Sequence, residues 1–382
     1  MRLRVRAVAV ATVGALAVAM LAGCGADGSG GSSSGAASPA AAATPACPAV
    51  RAPGALGYFS ASSSNIEQIV DTATGRLVGR IEGLSQPSNT YVTPDGRKVY
   101  IDNWGGRDIV VVDACTRRIA RTIEVGGRVL GSLDPSGTYL YETFLPSGTV
   151  EAGPGKVLRI DTRTDRVVAT CPTPQKPVAS VVSPDGRKVY VATLGTVMTL
   201  DAATGHVLGE PVRIGAIPGW LALSPDGRRL YTANLPTGVS VLDTATNRLV
   251  VNIPTPPGSA PQYNAVAPDG KTQWEVYAGG GVGVFSTATN ELIQTLPTEG
   301  MGMTVSFSPD GTRAFVGEGG PNTVRADGFR AVIDSATGSW HPGPGNLTIY
   351  DVATRRLITR IRGVGEFPGV VGIAARRTPA RG

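Results

Sequence analysis

SPDGRKVYVATLGTVMTLDAATG, residues 183–205, holds the pattern that decides the fold. Ser183-Pro184-Asp185-Gly186 is a turn. Pro presets φ at its first central position, Asp bonds the backbone ahead of it, and Gly takes φ > 0 at no steric cost. Asp201-Ala202-Ala203-Thr204-Gly205 is a second turn, with Gly205 suited to the left-handed position of a bulged hairpin. Between them, Lys188 to Thr193 and Thr196 to Leu200 alternate apolar and polar residues and are rich in Val, Tyr and Thr, the signature of strands.

The unit recurs along the chain. The turn proline returns at Pro94, Pro135, Pro184, Pro225, Pro268 and Pro309. The second turn returns at Asp71, Asp113, Asp161, Asp201, Asp243, Ser286 and Asp351, each followed three residues on by Thr. A period of about 42 residues with four short strands per unit, and no 3.6-residue pattern, is that of a propeller blade. The copy at Asp71 follows Tyr58 to Ile69 with no Pro-Asp-Gly before it. Phe367-Pro368-Gly369-Val370-Val371-Gly372-Ile373 supplies the missing kind of strand at the other end. The sequence therefore predicts an all-β, seven-bladed β-propeller over residues 50–375, closed by pairing of its N- and C-terminal strands so that no sheet edge stays open.

Tyr231-Thr232-Ala233-Asn234 and Tyr100-Ile101-Asp102-Asn103 follow their turns at the same offset, and Tyr190-Val191-Ala192-Thr193 is close to both. With SPDG before and D-T-A-T after, these segments resemble the bacterial YVTN-type repeat propellers. The resemblance covers nearly the whole mature chain. It implies the propeller fold and an envelope setting, since the group includes surface-layer and cell-envelope proteins. The repeat is also similar to blades of lactonase-type and quinoprotein-dehydrogenase propellers, so it selects no function.

The ends of the chain speak to location. Arg2, Arg4 and Arg6 precede the apolar run Ala7 to Met20, which ends in Leu21-Ala22-Gly23-Cys24. Residues 1–23 read as a signal peptide and Leu21 to Cys24 resembles a lipobox, which implies lipidation at Cys24 and a membrane anchor on the extracytoplasmic face. Residues 24–49 are Gly, Ser, Ala and Pro, a flexible tether. Residues 376–382 form a basic tail. The formal charge of +6 is carried by Arg2, Arg4, Arg6, Arg376, Arg377 and Arg381, which leaves the stretch between them formally neutral and speaks against a nucleic-acid binder. Four cysteines are present; beyond Cys24, a Cys47–Cys115 disulfide is favoured on blade topology over pairs with Cys171, with free thiols as the open alternative. Two units are longer than the rest, at Phe144 to Lys156 and near residues 321–346, where loops could carry binding or merely tolerate drift.

Both repeated turns should lie on one face of the ring, leaving the variable loops on the other. Nine residues beyond each turn proline stand Asn103, Phe144, Thr193, Asn234, Tyr277 and Glu318, with Ala61 in the first blade; Trp104, Glu142 and Trp220 lie nearby. We expect Asn103, Trp104, Glu142, Thr193, Trp220, Asn234, Tyr277 and Glu318 to form a ligand-binding mouth there. The competing reading is that the Asn side chains satisfy loop backbone and Trp220 packs between blades. With only two histidines, His206 and His341, neither in a suitable context, no catalytic triad, haem or zinc-triad site is predicted, and no cofactor or metal is expected. Glu142, Glu299, Glu318 and Glu366 fall outside the repeated positions and leave a Ca²⁺ site open. The sequence points to a monomeric, lipid-anchored binding or scaffold module with an envelope protein or cell-wall component as partner. The alternatives are a metal-assisted lactonase- or lyase-like enzyme, in which Glu142 and Glu318 would converge, and a nucleic-acid-binding propeller.

Overall fold

The computed structural model describes residues 56–145, 153–214, 217–235, 237–320, 343–365 and 368–373. They form seven antiparallel four-stranded sheets. Blade two is typical, with inner strand Pro87–Val92, second strand Lys98–Asn103, third strand Asp108–Asp113 and outer strand Arg118–Glu124. Blade three runs Arg128–Leu133, Tyr139–Leu145, Gly155–Asp161 and Arg166–Thr173. Blade one breaks chain order: its inner strand is Pro368–Ile373, paired with Leu56–Ala61. The predicted closure is present. The N-terminal leader and tether, Cys24, Cys47, residues 321–342 of the insert and the basic tail lie outside the described residues.

Burial follows strand position. Second strands are buried on both faces beyond their first residue, as in Lys98–Asn103 and Lys188–Thr193, because both of their faces meet neighbouring blades. Outer strands face solvent and expose Leu77, Ile119, Leu249, Leu292 and Leu357. The core is a series of clusters at the seams between blades, such as Tyr91, Tyr100, Ile109, Leu140 and Leu158 between blades two and three.

The repeated polar residues are consumed by the turns. Ser183 donates to Asp185 at 2.5 Å and accepts from the Lys188 amide at 2.9 Å, while Asp185 takes the Arg187 amide. Ser224–Asp226, Ser308–Asp310 and Thr93–Asp95 repeat the pair. Blade three exchanges the partners: Asp134 comes first and accepts from the Tyr139 amide at 2.8 Å, and Ser136 donates to Asp134 at 2.6 Å. In the second turn the aspartate caps the two amides that follow it, as Asp71 does for Ala73 and Thr74. The residue after Thr is left-handed whether it is Gly75, Arg117 or Asn247, and a bulge follows in the outer-strand pairing.

Candidate functional site

Asn103, Thr193, Tyr277 and Glu318 each end the second strand of a blade, so the sequence offset does mark one structural position. Their side chains, however, are buried, and those of Asn103, Thr193 and Glu318 bond the adjoining loops. Asn103 accepts from the Ser85 amide at 2.6 Å and donates to Asp108 at 2.7 Å. Asn234 donates to Ser240 at 2.6 Å and accepts from Thr232 at 2.7 Å. Thr193 meets Gln175 at 2.8 Å and Thr196 at 2.5 Å. Glu318 accepts the amides of Glu299 and Gly300 at 2.5 and 3.0 Å, the Thr348 hydroxyl, and Arg360 Nε at 3.1 Å. Asn103, Thr193 and Glu318 thus lock loops, while Asn234 ties the second strand of its blade to the third. The residues left at the rim are fewer. Trp104 is half-buried, donates its indole N–H to the Val129 carbonyl and lies under the Arg128 guanidinium. Trp220 stacks on Tyr263 of the next blade, with ring centroids 4.4 Å apart.

Glu142 and Glu318 do not converge. Glu318 is ion-paired with Arg360 in blade seven. Glu142, on the second strand of blade three, instead faces Asp102 of blade two, and both are wholly buried. Burial and the neighbouring Asp102 charge push the Glu142 carboxyl well above the usual range; burial also raises Asp102, against the hydrogen bonds from Tyr91 and Glu142. Two further carboxyls share this situation. Glu67 sits between blades one and two, accepting from Ser60 at 2.7 Å and Thr90 at 2.9 Å, and burial pushes it up to about 8. Glu275 accepts from Gln273 at 2.8 Å and is raised by burial. Tyr277 lies two residues further along the strand, its hydroxyl buried without a hydrogen-bond partner. Sequence reasoning passed over Asp102, Glu67 and Glu275. The available signal was an acid inside an apolar strand run, VYID, IEQIV or QWEVY, rather than in a turn.

The face that carries the repeated turns is open where blade three departs from the repeat. Ser136 and Thr138 stand there where blade four has Asp185 and Arg187. A cleft of about 700 Å³ lies on one side, lined by Tyr139, Arg159 and Asp185 among others, and one of about 670 Å³ on the other, lined by Arg97, Lys98 and Thr162. Ser136 and Thr138 border both. Among the described residues no group of three or more His, Cys, Asp or Glu side chains is placed to hold a metal ion.

No protein-family model matches the sequence, and no curated protein matches it. Solved structures do. A functionally unknown protein from Desulfotomaculum acetoxidans superposes with a TM-score of 0.65 at 16% identity, covering 84% of this chain and 99% of that one. Hydrazine synthase of Kuenenia stuttgartiensis gives 0.61 at 20% identity, covering 81% and 92%. Dihydro-heme d1 dehydrogenase NirN gives 0.51 at 15%, covering 83% and 74%. The likeness is one of fold. The propeller is thus common to proteins of differing chemistry, and its function has to be argued from its own loops and seams.

Cys115 and Cys171 are both disulfide-bonded, so neither is a free thiol. The favoured pair involves Cys47, which lies outside the described residues.

Proposed function

We propose that this propeller is a lipid-anchored, extracytoplasmic binding or scaffold module of a bacterial envelope. The observation that supports it best is the locking of the variable loops. Asn103, Thr193 and Glu318 spend polar atoms on the loops beside them, so the rim residues they hold are already ordered before a partner arrives. Docking on such a surface loses little conformational entropy. Trp104 and the exposed Arg107, whose guanidinium donates to the Gly126 carbonyl at 2.6 Å, are the contact residues we assign to this rim. An aromatic and an arginine of this kind are the types that dominate binding energy at interfaces. The lipobox-like Leu21 to Cys24 and the tether after it are the sequence support for anchoring.

The test is affinity capture from detergent-solubilised envelopes with the tethered propeller as bait, beside a Trp104→Ala, Arg107→Ala variant of equal thermal stability. A partner retained by the first and reduced at least about tenfold with the second supports the reading, a loss of roughly 1.4 kcal/mol or more. Equal recovery from both baits removes this rim as the site. In cell fractionation, Cys24→Ala should shift the protein out of the mature, membrane-anchored form.

A further inference from the structure

The seam between blades two and three contains a closed polar circuit. The Gly131 amide, on the inner strand of blade three, donates to the Tyr91 hydroxyl of blade two at 2.9 Å. Tyr91 also accepts from Asn89 at 3.3 Å, and donates to Asp102 Oδ2 at 3.0 Å. Asp102 faces Glu142, and Glu142 stands directly opposite Gly131 in the pairing of blade three's first two strands. Gly131 leaves room for the circuit: a Cβ there would lie 2.7 Å from Glu142 Oε2 and would collide with the Tyr141 carbonyl.

As two anions, the pair leaves Asp102 Oδ1 and both oxygens of Glu142 buried with no donor. Among the described residues nothing around them supplies one. From the neighbouring strands, Tyr100 is turned to Thr162 and Asp165, Tyr141 to the Ala202 carbonyl, Arg159 to the carbonyls of Ala202 and Ala203, Lys156 and Arg128 lie over the Phe144 and Trp104 rings, and Asp108 accepts from Asn103. On the side of blade one, Glu67 is bound to Ser60 and Thr90. An unpaired buried ion costs several kcal/mol, and two facing each other cost more. One proton removes the problem. On Glu142 it converts a carboxylate contact into a hydrogen bond donated to Asp102, whose remaining charge Tyr91 already stabilises.

We infer that Glu142 holds a proton for Asp102 in the folded protein, and that its loss in alkali loosens the seam between blades two and three. The fold thereby contains an alkali-sensitive joint at one of its seven seams. The direction is fixed by linkage: a carboxyl that keeps its proton on folding makes stability fall as pH rises from its unfolded range to its folded one.

The pH dependence of urea unfolding tests this from about pH 5 to about pH 9. Its slope gives the protons taken up on folding, and Glu142→Gln should reduce that number by about one. A slope unchanged by the substitution overturns the inference. Should Glu142→Gln fail to fold, hydrogen exchange on the wild-type protein decides. After correction for intrinsic rates, amides of Arg128–Leu133 and Tyr139–Leu145 should exchange at least about tenfold faster at alkaline pH than those of Pro177–Val182 and Lys188–Thr193. A uniform response across the blades would sink the local joint.

Discussion

Glu67 places its carboxyl where no water reaches, bonded only to the hydroxyls of Ser60 and Thr90. Its folded pKa of about 8 lies above its ordinary 4.5, so the folded state favours its protonated form. Stability contributed by that preference is complete below the ordinary value and is lost as pH rises toward about 8. Glu67→Gln should therefore gain on the wild type as pH rises, by an amount on the order of a few kcal/mol, read from urea midpoints across the same pH series. The turn aspartates act at the other end of the scale. Asp243 is held down to about 2 by the Thr246 amide and hydroxyl and by Arg229, so its contribution is fully present above its ordinary 3.8 and is lost as pH falls from there through about 2. Asp243→Ala should flatten the acid limb of the stability profile and leave the alkaline limb untouched.

Among the elements, the turn of blade three offers a controlled exchange. Its Asp134 and Ser136 occupy each other's usual places while keeping the hydroxyl-to-carboxylate bond. Ser136→Asp alone sets two carboxylates face to face without a donor and should cost about 1–2 kcal/mol. Adding Asp134→Ser restores the Ser-Pro-Asp-Gly order and should recover most of the loss, a coupling measurable by a double-mutant cycle. The repeat made these elements legible: Pro-Asp-Gly and Asp-x-x-Thr are local signals, and the strands from Lys188 and Thr196 begin where they were expected. The site was less legible for a physical reason. Position along a strand fixed which residues reach the loop end, but not whether a side chain turns outward or back, to bind the loop as Asn103 does or the next strand as Asn234 does. Nor could one blade's sequence say that Asp102 would meet Glu142, since that pairing belongs to two blades packed together.

At the scale of the whole molecule, the ring depends on a short strand from the far end of the chain. Gly57 to Phe59 pair with Val371 to Ile373, and Gly372 fits against blade two so closely that a Cβ would lie 2.6 Å from the Thr90 carbonyl. Ending the chain before Pro368 removes blade one's inner strand and leaves the second strand Leu56–Ala61 as a bare edge. The expected result is cooperative loss of thermal stability for the entire domain, seen as one early transition by circular dichroism, rather than fraying of a single blade. Gly372→Ala, which keeps the strand but crowds its seat, should lower the same transition by a smaller amount.

That closing strand also sets a clock. It follows every other described strand in the chain, while its partner Leu56–Ala61 precedes them, so that Gly57 pairs with Ile373 across the whole propeller. Contacts so distant in sequence form slowly because the intervening chain must first be brought together. Until then blade one waits with an unpaired edge, able to be recognised by a protease or chaperone. A chain that has not yet seated this strand therefore differs from the closed ring by one open sheet edge.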